Sequence, residues 1–233
     1  MPRADRRVAA VVAAVALALT GCSAAGDPQP VPTPTHLGLE TLAPGDTGTN
    51  GIEHLTGADV LAESLGAIGR AEGVQFAFAF DDGSRVLRVA YDGRPGAATA
   101  TITTADGELD LALGEESGTA RGSGELGARY GLTGTAACLP VDDPVFVEWA
   151  GVLDLRMLLR DLTAAVTLRR GALVDGDPAT VDVIMESSGG VIGSLVVTAH
   201  GEPRPIRLTL ADESGSAALE ITGWDAAPAP ADC

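Results

Sequence analysis

The sequence predicts an α+β domain in which one curved antiparallel β-sheet is combined with at least two helices. Three observations predict it. Apolar and small or polar residues alternate with period two, most cleanly in Val74-Gln75-Phe76-Ala77-Phe78-Ala79-Phe80. Turn residues such as Asp81-Asp82-Gly83, Asp92-Gly93 and Asp106-Gly107 recur about every eight to twelve residues, the spacing of a meander. Two other stretches place their apolar residues at helical spacing instead.

Taken in order, Thr56-Gly57-Ala58-Asp59 reads as a capping box, with Thr56 as the N-cap. Val60, Leu61, Ser64, Leu65 and Ile68 then share one helical face, and Gly73 ends the helix. Strands follow at Val74–Phe80, Val86–Tyr91, Ala97–Thr103 and Leu109–Leu113. The Gly-, Ser- and Glu-rich stretch from Gly114 to Gly124 is expected to be a loop or a poor edge strand, and Leu126–Leu132 a strand. Asp142 or Asp143 can cap a second helix with Pro144 at its first position. That helix is expected over 145–163, bent at Gly151, with Phe146, Trp149, Leu153 and Met157 along one stripe. Five strands near 165–170, 179–187, 191–200, 204–211 and 216–223 complete the domain.

Composition excludes several functions. The chain has 233 residues, no Lys, 15 Arg and 32 acids, for a net charge of −17. A nucleic-acid partner needs a basic footprint that is missing here. Without Lys there is no Schiff-base or P-loop chemistry. The three His (His36, His54, His200) have no metal-ligand spacing, and no Gly-x-Ser-x-Gly elbow is present. Asp81-Asp82, Asp142-Asp143 and Asp175-Gly176-Asp177 read as turn and cap residues. The expectation is a non-catalytic protein with no cofactor and no metal.

The N-terminus is an address. Arg3, Arg6 and Arg7 precede an apolar run from Val8 to Leu19, too short to span a bilayer, which needs about 20 residues. It ends in Leu19-Thr20-Gly21-Cys22-Ser23, which resembles a bacterial lipobox. Residues 1–21 are thus expected to be a lipoprotein signal peptide and Cys22 the lipidated residue. Residues 22–50 carry Pro28, Pro30, Pro32, Pro34 and Pro44 without apolar periodicity, as a disordered tether does. Residues 51–225 form the β-rich domain, and 226–233 an Ala/Pro tail ending in Cys233. The expected location is the extracytoplasmic face of the cell membrane, held by the N-terminal lipid anchor. Once Cys22 is lipidated, Cys138 and Cys233 remain. Outside the membrane they are expected to pair, the alternatives being free thiols or an intermolecular bond.

Phe76, Phe78 and Phe80 put three aromatics on one strand face, and the Phe146–Met157 stripe could oppose them. Two readings stand: a filled core, or the walls of an apolar cavity. The order of elements from about 52 to 225 resembles the actinobacterial LppX/LprA/LprF/LprG lipoprotein family. The ending Gly215-Ser216-Ala217-Ala218-Leu219-Glu220-Ile221-Thr222-Gly223-Trp224-Asp225 and the turn Gly201-Glu202-Pro203-Arg204-Pro205 carry that resemblance. It implies a half-barrel sheet wrapped over two or more helices, with acyl chains of a glycolipid or phospholipid held between them, in a monomer. The alternative is a structural or interaction lipoprotein of the cell envelope with a filled core.

Overall fold

The computed structural model describes residues 48–225 and 233. The signal peptide, Cys22, most of the tether and residues 226–232 of the tail lie outside the described residues. After a 3₁₀ turn at Ile52–His54 comes helix α1 (Gly57–Arg70). Strands β1 (Val74–Asp81), β2 (Val86–Arg94), β3 (Ala97–Thr104), β4 (Gly107–Leu113) and β5 (Ser117–Ser123) follow. Next are α2 (Gly124–Arg129), β6 (Ala137–Pro140), α3 (Pro144–Leu153) and α4 (Leu155–Thr163). Last come β7 (Thr167–Val174), β8 (Thr180–Ser187), β9 (Gly190–Thr198), β10 (Pro205–Asp212) and β11 (Gly215–Trp224). The fold is α+β, as the sequence predicts: one unclosed antiparallel sheet of 11 strands with four helices among the described residues.

The strand order is β6-β5-β4-β3-β2-β1-β11-β10-β9-β8-β7. Successive hairpins carry the chain outward from β1 to the β6 edge. After the helices, the chain re-enters at the opposite edge, β7, and meanders back to the centre. The β1–β11 pair joins the two halves, with Phe78 opposite Leu219 and Phe76 opposite Ile221. Alternation sends Phe76, Phe78, Leu219 and Ile221 to the buried face and Ala77, Ala79, Ala218 and Glu220 to the open one.

Helix α1 begins as its capping box requires: the Thr56 hydroxyl accepts from the Asp59 N–H at 3.2 Å. Val60, Leu61, Ser64, Leu65 and Ala67 are buried, and Ser64 satisfies its hydroxyl by donating to the Val60 carbonyl. Gly57 lets the helix rest on β7, since a Cβ there would lie 2.8 Å from the Leu168 carbonyl carbon. The described residues belong to one compact unit. The described core runs from Ile52 to Ile221 within it. Cys138 and Cys233 are joined by a disulfide with a Cα–Cα distance of 5.9 Å, which ties the last residue to the β6 edge.

Four expectations are corrected. Leu126–Leu132 begins as helix α2, because Gly127 packs directly on Gly122 of β5, closer than any side chain would allow. The Gly/Ser/Glu-rich stretch contains an interior strand, β5, paired on both sides, not a loop or an edge. β6 is an additional short strand at the sheet edge. The helix expected over 145–163 is two helices, and the break falls at Asp154, not Gly151.

Candidate functional site: the mouth between sheet and helices

The break at Asp154 sets the geometry of the site. Asp154 is extended (φ −90°, ψ 105°), ending α3 and capping α4. Its carboxylate accepts from the Arg156 N–H at 2.8 Å and the Met157 N–H at 3.1 Å. At the other end, the Asp143 carboxylate caps α3 through the Val145 N–H, with Pro144 in the first turn. The two short helices form a jointed roof over the sheet.

The break also shifts the helical phase. Phe146 and Leu153 of α3 point inward, 3% and 6% exposed. Trp149 is half-buried at the edge of the core. Met157, expected on the same stripe, is turned to solvent, 47% exposed. Leu155, Leu158 and Leu159 take the inward positions of α4 instead.

Beneath the roof, Phe76 and Phe78 are buried on the inner face of β1, while Phe80, further along it, is only partly buried. Tyr91 stacks on Phe76, with ring centroids 4.9 Å apart. The buried face of β3–β5 mixes small residues, Ala98, Ala100 and Ala120, with Ile102, Leu109 and Leu111. At Gly118 the Phe146 ring sits so close that a Cβ would lie 2.9 Å from its Cζ.

A pocket of about 190 Å³ opens where the end of α1, the β1–β2 strands and the α3–α4 joint meet. Its apolar wall is Ile68, Val74, Tyr91, Leu153 and Leu155, and Arg94, Asp154 and Arg156 complete the lining. Tyr91 is 7% exposed, and among the described residues its hydroxyl has no hydrogen-bond partner. Burial, reinforced by the charges of Asp154 and Asp92, raises its pKa well above the ordinary phenol value, so it is a neutral donor at physiological pH.

The helix-free face of the sheet carries a separate, open trough of about 680 Å³. Alanines 77, 90 and 112 line it together with threonines 99, 101 and 119. Among its charged members Arg121 pairs with Asp110, and Gln75 donates to Asp92 Oδ2 at 3.0 Å, while Asp92 Oδ1 is buried without a partner among the described residues. Among the described residues no group of three or more His, Cys, Asp or Glu could hold a metal ion. No helix among them is long and apolar enough to cross a membrane.

The structure thus brings Phe76, Phe78, Phe146 and Leu153 into one buried cluster, leaves Phe80 and Trp149 at its margins, and excludes Met157. Sequence reasoning missed Tyr91, Arg94 and Arg156. The register of Tyr91 against Phe76 was readable from the β1–β2 hairpin. Nothing in the sequence pattern marks Arg94 or Arg156.

No family model and no curated protein matches the sequence. Among solved structures, the chain is similar to LprF from Mycobacterium bovis at 14% identity and a TM-score of 0.42, covering 75% of this chain and 96% of that one. It is similar to the Mycobacterium tuberculosis lipoprotein LppX at 17% identity and a TM-score of 0.44, covering 75% and 99%. An uncharacterized conserved protein from Thermus thermophilus is similar at 13% identity and a TM-score of 0.36, covering 74% and 88%. LprF and LppX, members of the family that the sequence resembles, are thus among the structures to which the chain is similar.

Proposed function

We propose that the protein is a monomeric, non-catalytic lipoprotein on the extracytoplasmic face of the membrane, anchored through Cys22, that binds or transfers an acyl chain between its sheet and helices. The observation that carries this reading is the apolar pocket at the α3–α4 joint. Its roof is two short helices meeting at one residue, and the adjoining floor sets small residues beside larger ones. Its 190 Å³ is smaller than the roughly 300–1,000 Å³ of a typical ligand site. The pocket therefore holds one segment of a chain, and displacing the roof at Asp154 makes room for more. Apolar burial at about 25 cal/mol per Å² drives the binding.

Native mass spectrometry of residues 48–233, purified without detergent, tests the reading. Retained lipid, or uptake from phosphatidylcholine vesicles, is the expected result. A bare mass under both conditions favours the second reading, an interaction lipoprotein with a filled core. The tight burial of Phe76, Phe78 and Phe146, at 2%, 5% and 3% exposure, is the observation on that side. The anchor is tested separately, since Cys22→Ala should release the protein from the membrane fraction.

A further inference from the structure

We infer that the mouth of this pocket receives the anionic head of an amphiphile, a phosphate or carboxylate, while the apolar tail enters below. The inference rests on the acyl-chain reading and names the chemistry that the site would select.

Three groups carry it. The ring of Tyr91 is buried in the pocket wall, and its hydroxyl makes no hydrogen bond among the described residues and is not sealed from solvent, so it is a donor that a ligand oxygen in the pocket can reach. Arg94 and Arg156 are exposed and line the same pocket. Neither forms an ion pair among the described residues, which is also true of Arg88, Arg160, Arg170 and Arg207, but Arg94 and Arg156 are the two that share this pocket.

The guanidinium of Arg156 lies across Gly69, where a Cβ would come within 3.1 Å of its Nη1, so a side chain at 69 would crowd it. The nearby Asp154 and Asp92 carboxylates oppose an anion; Asp154 is engaged by the Arg156 and Met157 N–H groups as a helix cap, and Asp92 through Oδ2 by Gln75. On a chain of net charge −17, the apolar pocket thus carries two arginines at its mouth that no carboxylate neutralises through an ion pair. A guanidinium matches a phosphate or carboxylate through two parallel N–H donors, which a sugar or amide head does not offer as acceptors. The apolar wall of Ile68, Val74 and Leu153 then distinguishes an amphiphile from a free anion.

Calorimetric titration of residues 48–233, which contain the described core, uses three probes below micellar concentration: dodecyl phosphate, dodecyl maltoside and inorganic phosphate. Dodecyl phosphate should bind at least about tenfold tighter than dodecyl maltoside, with no binding of inorganic phosphate at millimolar concentration. The exposed double variant Arg94→Gln/Arg156→Gln should erase that preference, lowering the affinity for dodecyl phosphate about tenfold, to that of dodecyl maltoside. Tyr91→Phe, which keeps the ring stack, should reduce the preference several-fold. Equal affinity for the two detergents overturns the headgroup inference and leaves the carrier reading standing. Binding of inorganic phosphate as tight as that of dodecyl phosphate also overturns it, in favour of a free-anion site. Binding of none of the probes overturns both.

Discussion

The two halves of the sheet are roofed differently. On the side where α1 rests on β7 and β8, the β8–β10 strands present Val181, Val183, Met185, Leu195, Val197 and Leu208, all 0% exposed. In the other half, the β3–β5 strands also bury Ile102, Leu109 and Leu111, but they place the small residues Ala98, Ala100, Ala120 and Gly118 beside them, with Phe146 of α3 against Gly118 and a pocket at the roof's margin. Helix α1 is one 14-residue helix, whereas the α3–α4 roof is broken at a single extended residue. Large residues under a continuous helix make a sealed core, because close packing leaves no space for a ligand. On the reading proposed above, the jointed roof is where protein contacts give way to ligand contacts.

The largest effect expected from perturbing this contrast lies in the sealed half. Leu208→Ala should lower unfolding free energy by about 2–5 kcal/mol in urea denaturation, because little nearby can collapse into the space. A loss well under 1 kcal/mol would show that this half is not sealed. In the jointed half, Gly118→Ala places a Cβ 2.5 Å from the Ala112 carbonyl oxygen and 2.9 Å from the Phe146 ring. It should cost about 1–3 kcal/mol and speed amide exchange in α3 while leaving α1 unchanged. Asp154→Ala removes the cap of α4 and should cost about 1 kcal/mol, with exchange rising first at Arg156 and Met157.

The smallest effect concerns the rim shared by α1 and β11. The hydrogen bond from Arg204 chiefly holds the Asp225 carboxyl below its ordinary value, and the bonds from Arg70 and then Arg204 do the same for Glu202. A depressed folded pKa contributes stability above the unfolded value, near 3.8 for Asp and 4.5 for Glu, and that stability is lost as pH falls through the folded value. Between pH 5 and pH 3 the native protein should therefore lose more in Tm than Arg204→Gln does. Equal slopes would remove these pairs from the stability of the rim.

Most of the sheet was legible in the sequence, because alternation and turn residues report local geometry directly. Phe76 and Phe78 reach the buried face as their spacing requires. The failures share a cause: a long-range contact overrode the local pattern. Gly122 lies in the stretch read as a loop or poor edge strand and Gly127 in an expected strand, yet they are where α2 and β5 touch. Asp154, a charged residue between two leucines, reads as the solvent face of one helix. Only its backbone conformation reveals a joint, and the same joint turns Met157 outward. The pocket mouth was the least legible part, since Tyr91, Arg94 and Arg156 are brought together from a strand and a helix far apart in the chain.

The most direct test is amide hydrogen exchange of residues 48–233 with and without dodecyl phosphate below its micellar concentration. If a chain enters at the α3–α4 joint, exchange should change in α3, α4, the last turn of α1 and the start of β1, while β8–β10 stay as they were. No change anywhere, or a uniform change across both halves, would contradict binding at the joint.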